Sequence, residues 1–376
     1  MVTKVETSAL SEPAVEAFPR LDDAREAWRE LFACAPASPY QSYDYVSAWL
    51  ETLGAGSRLA PMIVVARGGD GRPEALVPLA VREFAGFRVA EFLCGRESNF
   101  NLALTRPGAG LNLRDLLVSA ARGQARPPDL FYLRNQPRSF ADFENPMIGP
   151  DARPSPSFAY ASRLPASAAA LEERFSKDAH KKLRSKTRRL SSLGSLAFEH
   201  DARSARRDEI IRALATQKAA RLATMGVAGF NADVARAFLS AVADCGLLEV
   251  HGLSVSGRVV AAYVGLVDRG RFCGLFNSFD MEPEIARLSP CDILLHALLQ
   301  NLVARGFSHF DLGVGEARYK SAVCEETIAL YDSIIPVTTR GALAAPLFRK
   351  FIDAKRAIKQ TPALARALEK IRRLVV

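Results

Sequence analysis

Residues 309–326 read HFDLGVGEARYKSAVCEE. Phe310 and Leu312 alternate with Asp311 and Gly313, the period-two pattern of a half-buried strand. Gly313 and Gly315 permit a positive φ or a close approach of backbone to a ligand. The strand is therefore expected to end abruptly, with Glu316, Arg318, Tyr319 and Lys320 just past its edge. A right-handed crossover from the preceding helix would set those residues beside that helix's N-terminus. Taken alone, the stretch also reads as an ordinary turn with solvated charges.

The preceding helix is ARLSPCDILLHALLQ, residues 286–300. Ser289 suits the N-cap, Pro290 the first turn and Asp292 the capping-box position. Free amides and the positive dipole end suit a phosphate there, with Arg287 alongside. The alternative is a well-capped helix and nothing more, since Asp292 already complements the dipole. Working outward, a single long helix is expected through LEERFSKDAHKKLRSKTRRLSSLG, stopping near Gly194. The strand SLAFEHD and two helices closed by Gly226 and opened by Asn231 follow. A three-strand meander, LLEVHGLSV, VVAAYVGLVD and RFCGLFNSFD, then leads into the 286–300 helix. A meander before a crossover helix indicates α+β rather than a doubly wound sheet.

The first half carries helices at 21–35 and from Ser42 to Gly54, and a hairpin of strands 59–68 and 74–84 around GDGRP. The polar stretch GRESNFNL (95–102) reads as a surface loop, with a cleft lining as the alternative. Pro146, Pro150, Pro154 and Pro156 mark a crossing linker. With 376 residues, two core-forming units are expected. The boundaries read from sequence are 1–160, 161–340 and a tail at 341–376.

Net charge is +9, and most of it lies in the tail, where nine Lys/Arg face only Asp353 and Glu369. No apolar run approaches the ~20 residues needed to span a bilayer. The first twenty residues lack the apolar core of a signal peptide, so a cytoplasmic location is expected. Six scattered cysteines read as reduced thiols, and five histidines without ligand-like spacing give an expectation of no metal.

The segments MEPEIARLSP (281–290), FDLGVGEARYK (310–320) and LATQKAARLATMG (214–226) together resemble the BioF-two-like, or CelD-type, branch of the GNAT acyltransferase superfamily. That branch is named for bacterial cellulose and exopolysaccharide clusters, and twin-domain Fem-type enzymes are related. The resemblance spans residues 20–340, closely in the second half and loosely in the first. It implies two tandem GNAT-like domains, each a mixed, mostly antiparallel sheet flanked by helices. It also implies an acyl-CoA donor, acetyl-CoA or a longer one, admitted where RFCGLFNSFD and SHFDLGVG splay apart. The resemblance assigns Glu316 or Asp311 as general base and Tyr319 as general acid. Arg287, Ser289, Pro290, Cys291 and Lys320 would hold the coenzyme. Cys291 stands where the family has glycine, and it needs more room.

The helix KDAHKKLRSKTRRL (177–190) holds seven Lys/Arg and one acid. It reads as a solvated face, or as a clamp in which Lys182 and Arg184, with Arg318, hold the phosphates of a nucleotide-linked or lipid-linked sugar, coenzyme A or tRNA. Few aromatics are interleaved, so sequence-specific nucleic-acid reading is not expected. The tail reads as two amphipathic helices broken at Thr361-Pro362, one face being Leu347, Phe351, Ala354 and Ile358. The second face is Leu364, Leu368, Ile371 and Val375. Such a tail either packs on its own domain or lies on an anionic membrane. The resulting expectation is N-acyl transfer to an amino sugar or similar amine in envelope polysaccharide synthesis. The alternatives are an aminoacyl-tRNA-dependent transferase and a non-catalytic membrane adaptor.

Overall fold

The computed structural model describes residues 13–361, apart from the side chain of Arg318. Contacts divide the chain into two units. One holds the described residues of Met1–Tyr43, Arg58–Pro156 and Ala329–Val376; the other holds Asp44–Ser57 and Ser157–Ile328.

The first unit is built on a mixed sheet in which Ala14–Phe18, Ala60–Arg67, Pro73–Phe84, Phe87–Phe92, Leu130–Pro137, Leu330–Pro336 and Arg153–Pro154 lie side by side. All neighbours are antiparallel except Phe87–Phe92 against Leu130–Pro137. The expected hairpin forms, and Gly71 takes φ +80° in its turn. The polar stretch 95–102 is no surface loop. Ser98, Phe100, Asn101 and Leu102 are buried, and the Phe100 carbonyl accepts from Gln41 Nε2 at 2.6 Å.

Sequence reading missed the strand Leu330–Pro336 and placed the tail's buried face one residue away. The helix Thr339–Gln360 packs Ala344, Ala345, Phe348 and Ile352 onto Leu130, Tyr132 and Ile334. Phe348 meets Phe84, Phe87 and Tyr132 edge to face. Leu343, Leu347 and Phe351 stay 77%, 66% and 49% exposed. The helix begins where Thr338 accepts from the Gly341 amide at 3.1 Å and donates to Asp129 Oδ1 at 3.0 Å. Thr361 closes it; Leu364, Leu368, Ile371 and Val375 lie outside the described residues.

The second unit holds a seven-stranded sheet in the order Leu196–Glu199, Leu248–Val255, Arg258–Asp268, Arg271–Phe279, His309–Val314, Ala159–Arg163, Glu326–Ile328. The meander is antiparallel, and the crossover helix Pro290–Ala304 delivers His309–Val314 parallel to Arg271–Phe279. Leu294, Leu298 and Leu302 of that helix are fully buried in one core with Phe272 and Phe310. The helices Ser204–Thr224 and Ala232–Asp244 follow the sequence reading, the second capped by Asn231, which accepts from Asp233 N and Val234 N.

The expected single helix through 171–194 is two. Ala168–Glu172 ends, and Lys177–Ser191 begins afresh under a Ser176 cap that accepts from the Ala179 amide at 3.2 Å. Serine competes for local amides and favours a cap over a helix interior. No helix among the described residues is long and apolar enough to cross a membrane.

Gly341 gives this fold a sharp test. A Cβ there would sit 1.7 Å from the Asp129 carbonyl oxygen, which is backbone and cannot swing aside. Gly341→Ala is expected to destabilise the protein by about 1–3 kcal/mol in urea denaturation. Gly56→Ala, with nothing within 4 Å, is expected to be near neutral.

Candidate active site

The two strands named in the sequence reading do part. Their parallel register runs through Arg271↔His309, Phe272↔Phe310 and Cys273↔Asp311 and then stops, although one strand continues to Phe279 and the other to Val314. Each is bulged at that level. Arg258–Asp268 pairs Val264 with Phe276 and Gly265 with Gly274, leaving Leu275 as the extra residue. Ala159–Arg163 pairs Tyr160 with Gly313 and Ala161 with Asp311, leaving Leu312 extra. A bulge bends its strand and sharpens the local twist. Gly313 takes φ +67° and Gly315 φ +104°, and the Gly313 amide donates to Asp311 Oδ1 at 2.6 Å. The glycines turn the strand away from its neighbour.

Three polar side chains converge at the fork. Asn277 Nδ2 donates to Tyr263 Oη at 3.0 Å and stands 3.5 Å from Tyr319 Oη. Burial pushes both phenols above their ordinary pKa, so both are protonated donors near neutral pH. Tyr319 lines two cavities. One, of about 190 Å³, is walled also by Arg221, Tyr263, Asn277, Ser289 and Cys291. The other, of about 270 Å³, is walled by Phe175, His180, Lys182, Lys186 and His296 among others. Among the described residues, Asp292 is the one carboxylate lining both.

The remaining predicted residues divide. Ser289 lines the smaller cavity but is not a side-chain cap; it sits at φ +50°, and its hydroxyl accepts from Lys186 Nζ at 2.8 Å. Pro290 is buried in the first turn. Cys291 points its thiol at the Ser278 carbonyl at 3.1 Å, and burial pushes that thiol up to about 12, so it is neutral and no nucleophile. Lys182 borders the larger cavity and pairs with Asp178 at 3.4 Å. Arg184 faces a separate open groove with Arg188, His200 and Gln300.

Other expectations meet a physical obstacle. Lys320 is buried and donates to the Gly313 and Val314 carbonyls at 3.2 and 3.0 Å, which ties it to the end of the strand instead of leaving it for phosphate. Arg287 is exposed, 3.5 Å from Glu284, and borders neither cavity. Glu316 is exposed and accepts from the Phe158 amide at 3.1 Å. Asp311 is fully buried and borders neither cavity, with Oδ2 unpartnered. The Arg318 side chain lies outside the described residues.

Sequence reading missed Tyr263, Asn277, Lys186 and Arg221. Tyr263 and Asn277 oppose each other across the antiparallel pair, so a correct register for the meander would have found them. Arg221 lies over the Phe279 ring at 5.2 Å, and Lys218 over Phe276 at 4.8 Å. Both cations stand on Ser204–Thr224, within the segment that carried the family resemblance.

Comparison with known proteins bears on the fold. Residues 177–321 match the family model described as Acetyltransferase (GNAT) domain. Among solved structures, FemX is similar with TM-score 0.57 at 9% identity, covering 88% of this chain and 98% of that one. The C-terminal domain of a provisionally assigned lysylphosphatidylglycerol synthetase from Agrobacterium fabrum gives 0.53 at 14%, covering 88% and 95%. A conserved protein of unknown function from Bacteroides thetaiotaomicron gives 0.53 at 11%, covering 86% and 100%. At such identities the likeness is one of fold. Among curated proteins none matches. The chain carries a GNAT-type acetyltransferase domain, and it is an acyltransferase.

Burial pushes the Asp311 carboxyl up to about 6 against the pull of Arg271 and of the Gly313 amide. Its folded pKa therefore exceeds its unfolded value of about 3.9. The native state binds the extra proton between those values, so stability falls as pH rises through about 4 to 6. Asp311→Asn keeps an oxygen for the Gly313 amide and removes the buried charge. Urea denaturation should find the variant more stable at pH 7.5, by on the order of 3 kcal/mol, with the advantage gone at pH 4. A variant less stable than the parent at pH 7.5 contradicts this account of Asp311.

Proposed function

We propose that the protein transfers an acyl group from an acyl-CoA, acetyl-CoA in the first instance, to a primary amine, in the fork between Arg271–Phe279 and His309–Val314. The observation that carries the reading is the end of the parallel register at Cys273↔Asp311, with a protonated tyrosine at the opening. The donor's thioester would enter from the smaller cavity, where Arg221 supplies positive charge for its phosphates and Ser289, on the cavity wall, is held by Lys186 from the larger one. In the reaction the amine nitrogen bonds to the acyl carbon and the carbon–sulfur bond breaks. Tyr319 gives its proton to the departing sulfur, and Asn277 and Tyr263 hold its hydroxyl in place. Asp292 takes the amine's proton, directly or through a water, since neither Asp311 nor Glu316 borders the cavities. Asp311 and Glu316 act as positioning residues: one holds the strand's turn, the other the Phe158 backbone.

The acceptor we propose is an amino sugar or a similar amine in envelope or exopolysaccharide synthesis. This finer reading rests on the sequence resemblance to the BioF-two-like, CelD-type branch. The larger cavity supports it by setting Lys182 and Lys186 where a phosphate-linked acceptor would need cations. An aminoacyl-tRNA donor is the second reading. It is favoured by the basic helix Lys177–Ser191 and by the likeness to FemX and to the lysylphosphatidylglycerol synthetase domain.

Thermal-shift titration separates the two: acetyl-CoA should raise Tm in a saturable manner, whereas stabilisation by tRNA alone favours the second reading. Tyr319→Phe should keep the acetyl-CoA shift and lower kcat about 10²-fold or more; full activity would remove Tyr319 as the acid.

The exposed row Leu343, Leu347 and Phe351, beside Lys350, supports peripheral contact of the helix Thr339–Gln360 with an anionic membrane. Replacing those three residues with serine should abolish flotation with phosphatidylglycerol vesicles and leave Tm unchanged. Equal flotation of parent and variant would exclude this row as an anchor.

A further inference from the structure

The break between Ala168–Glu172 and Lys177–Ser191 folds three ligand-type side chains together that the sequence keeps far apart. Glu172, His180 and His296 bring one donor atom each within 4.8 Å of one another. His180 Nε2 lies 3.0 Å from the Glu172 main-chain oxygen. A carbonyl only accepts, so Nε2 carries the proton. The lone pair of His180 Nδ1 then faces Glu172 Oε2 at 3.2 Å, acceptor against acceptor. His296 Nε2 is buried 3.1 Å from Glu172 Oε1, in an alignment that makes no hydrogen bond. Gln300 Nε2 already donates to Oε1 at 2.8 Å. A cation seated between the imidazole nitrogens and the carboxylate would relieve this opposition.

We infer that Glu172, His180 and His296 form a binding site for a first-row divalent cation, zinc foremost. Bonds of about 2.0–2.2 Å in a tetrahedral site set ligand atoms roughly 3.3 Å apart, near the 3.2 and 3.1 Å that separate each imidazole nitrogen from a Glu172 oxygen. The imidazole N–H held by a main-chain carbonyl is the outer-sphere contact that fixes a ligand histidine's tautomer. Phe175 packs edge to face on both rings, 6.0 Å from His180 and 5.4 Å from His296, and limits their rotation. Two imidazoles and one carboxylate leave a coordination position open. His180 and His296 both line the 270 Å³ cavity that also borders Tyr319, Lys182 and Lys186, so an oxygen or nitrogen donor of a bound molecule could complete the shell. The six free thiols compete for zinc elsewhere, which the test must separate.

Cobalt(II) titration of the full chain, followed by visible absorption, reads the site without any assay of activity. The parent protein should bind one equivalent with d–d bands of a four- or five-coordinate ion and no thiolate charge-transfer band. Zinc should displace the cobalt, and calorimetry should give a micromolar or tighter Kd. His180→Gln/His296→Gln should weaken binding at least about 100-fold, and Glu172→Gln about 10-fold or more. The glutamate variant serves if the double variant does not fold. No binding tighter than millimolar by the parent overturns the site. Unchanged binding in folded variants, or a thiolate band, overturns it equally.

Discussion

The second unit depends on a stack of two phenylalanines. Phe272 and Phe310 lie parallel, 11° between ring planes and 5.7 Å between centroids, and both are fully buried. They clamp the two parallel strands one level before their pairing ends at Cys273↔Asp311. Glycine is required opposite, because a Cβ on Gly265 would meet the Phe272 ring at 2.2 Å. One level further on, the Gly274 site has the Asp311 carbonyl 3.1 Å away, so backbone already fills the space a side chain would need. The strands are held together at one end and bent apart at the other by paired bulges. A gap made this way is rigid at its base, as a site must be to receive a reacting carbonyl without reorganising.

Charge is arranged around that gap in an orderly way. Three groups that line it are neutral near pH 7: the Tyr263 and Tyr319 phenols and the Cys291 thiol are all pushed up by burial. Cations stand at its border, where Lys186 reaches Ser289 across from the basic helix. Lys320, placed by sequence among these border charges, belongs to the interior; it caps strand carbonyls, and burial lowers its pKa. Protonated phenols at the fork and cations beside it suit a thioester whose far end is phosphorylated.

The sequence made much of this legible, for reasons that differ by element. The hairpin, the meander and the crossover helix were readable because periodicity and glycine turns are local signals. The fork was reached through resemblance and through Gly313 and Gly315, whose positive φ values are the bend itself. Side-chain direction was not legible. Whether Asp311 faces a cavity or the core depends on a bulge at Leu312 that no local pattern announces. The helix break at Ser176 was hidden because helix formers continue on both sides of it. That break decides whether Glu172 and His180 meet, so histidine spacing along the chain carried no sign of the cluster. In the tail, two apolar faces exist side by side, and sequence alone ranked Leu347 and Phe351 above the buried Phe348 and Ile352.

The most direct test is a crystal structure of the protein with a non-transferable acetyl-CoA analogue bound. Pantetheine density is expected to run between Gly274–Phe279 and Leu312–Val314, with the carbonyl-equivalent atom near Tyr319 Oη. Density elsewhere, or a register that closes beyond Cys273↔Asp311 with the analogue excluded, would contradict it.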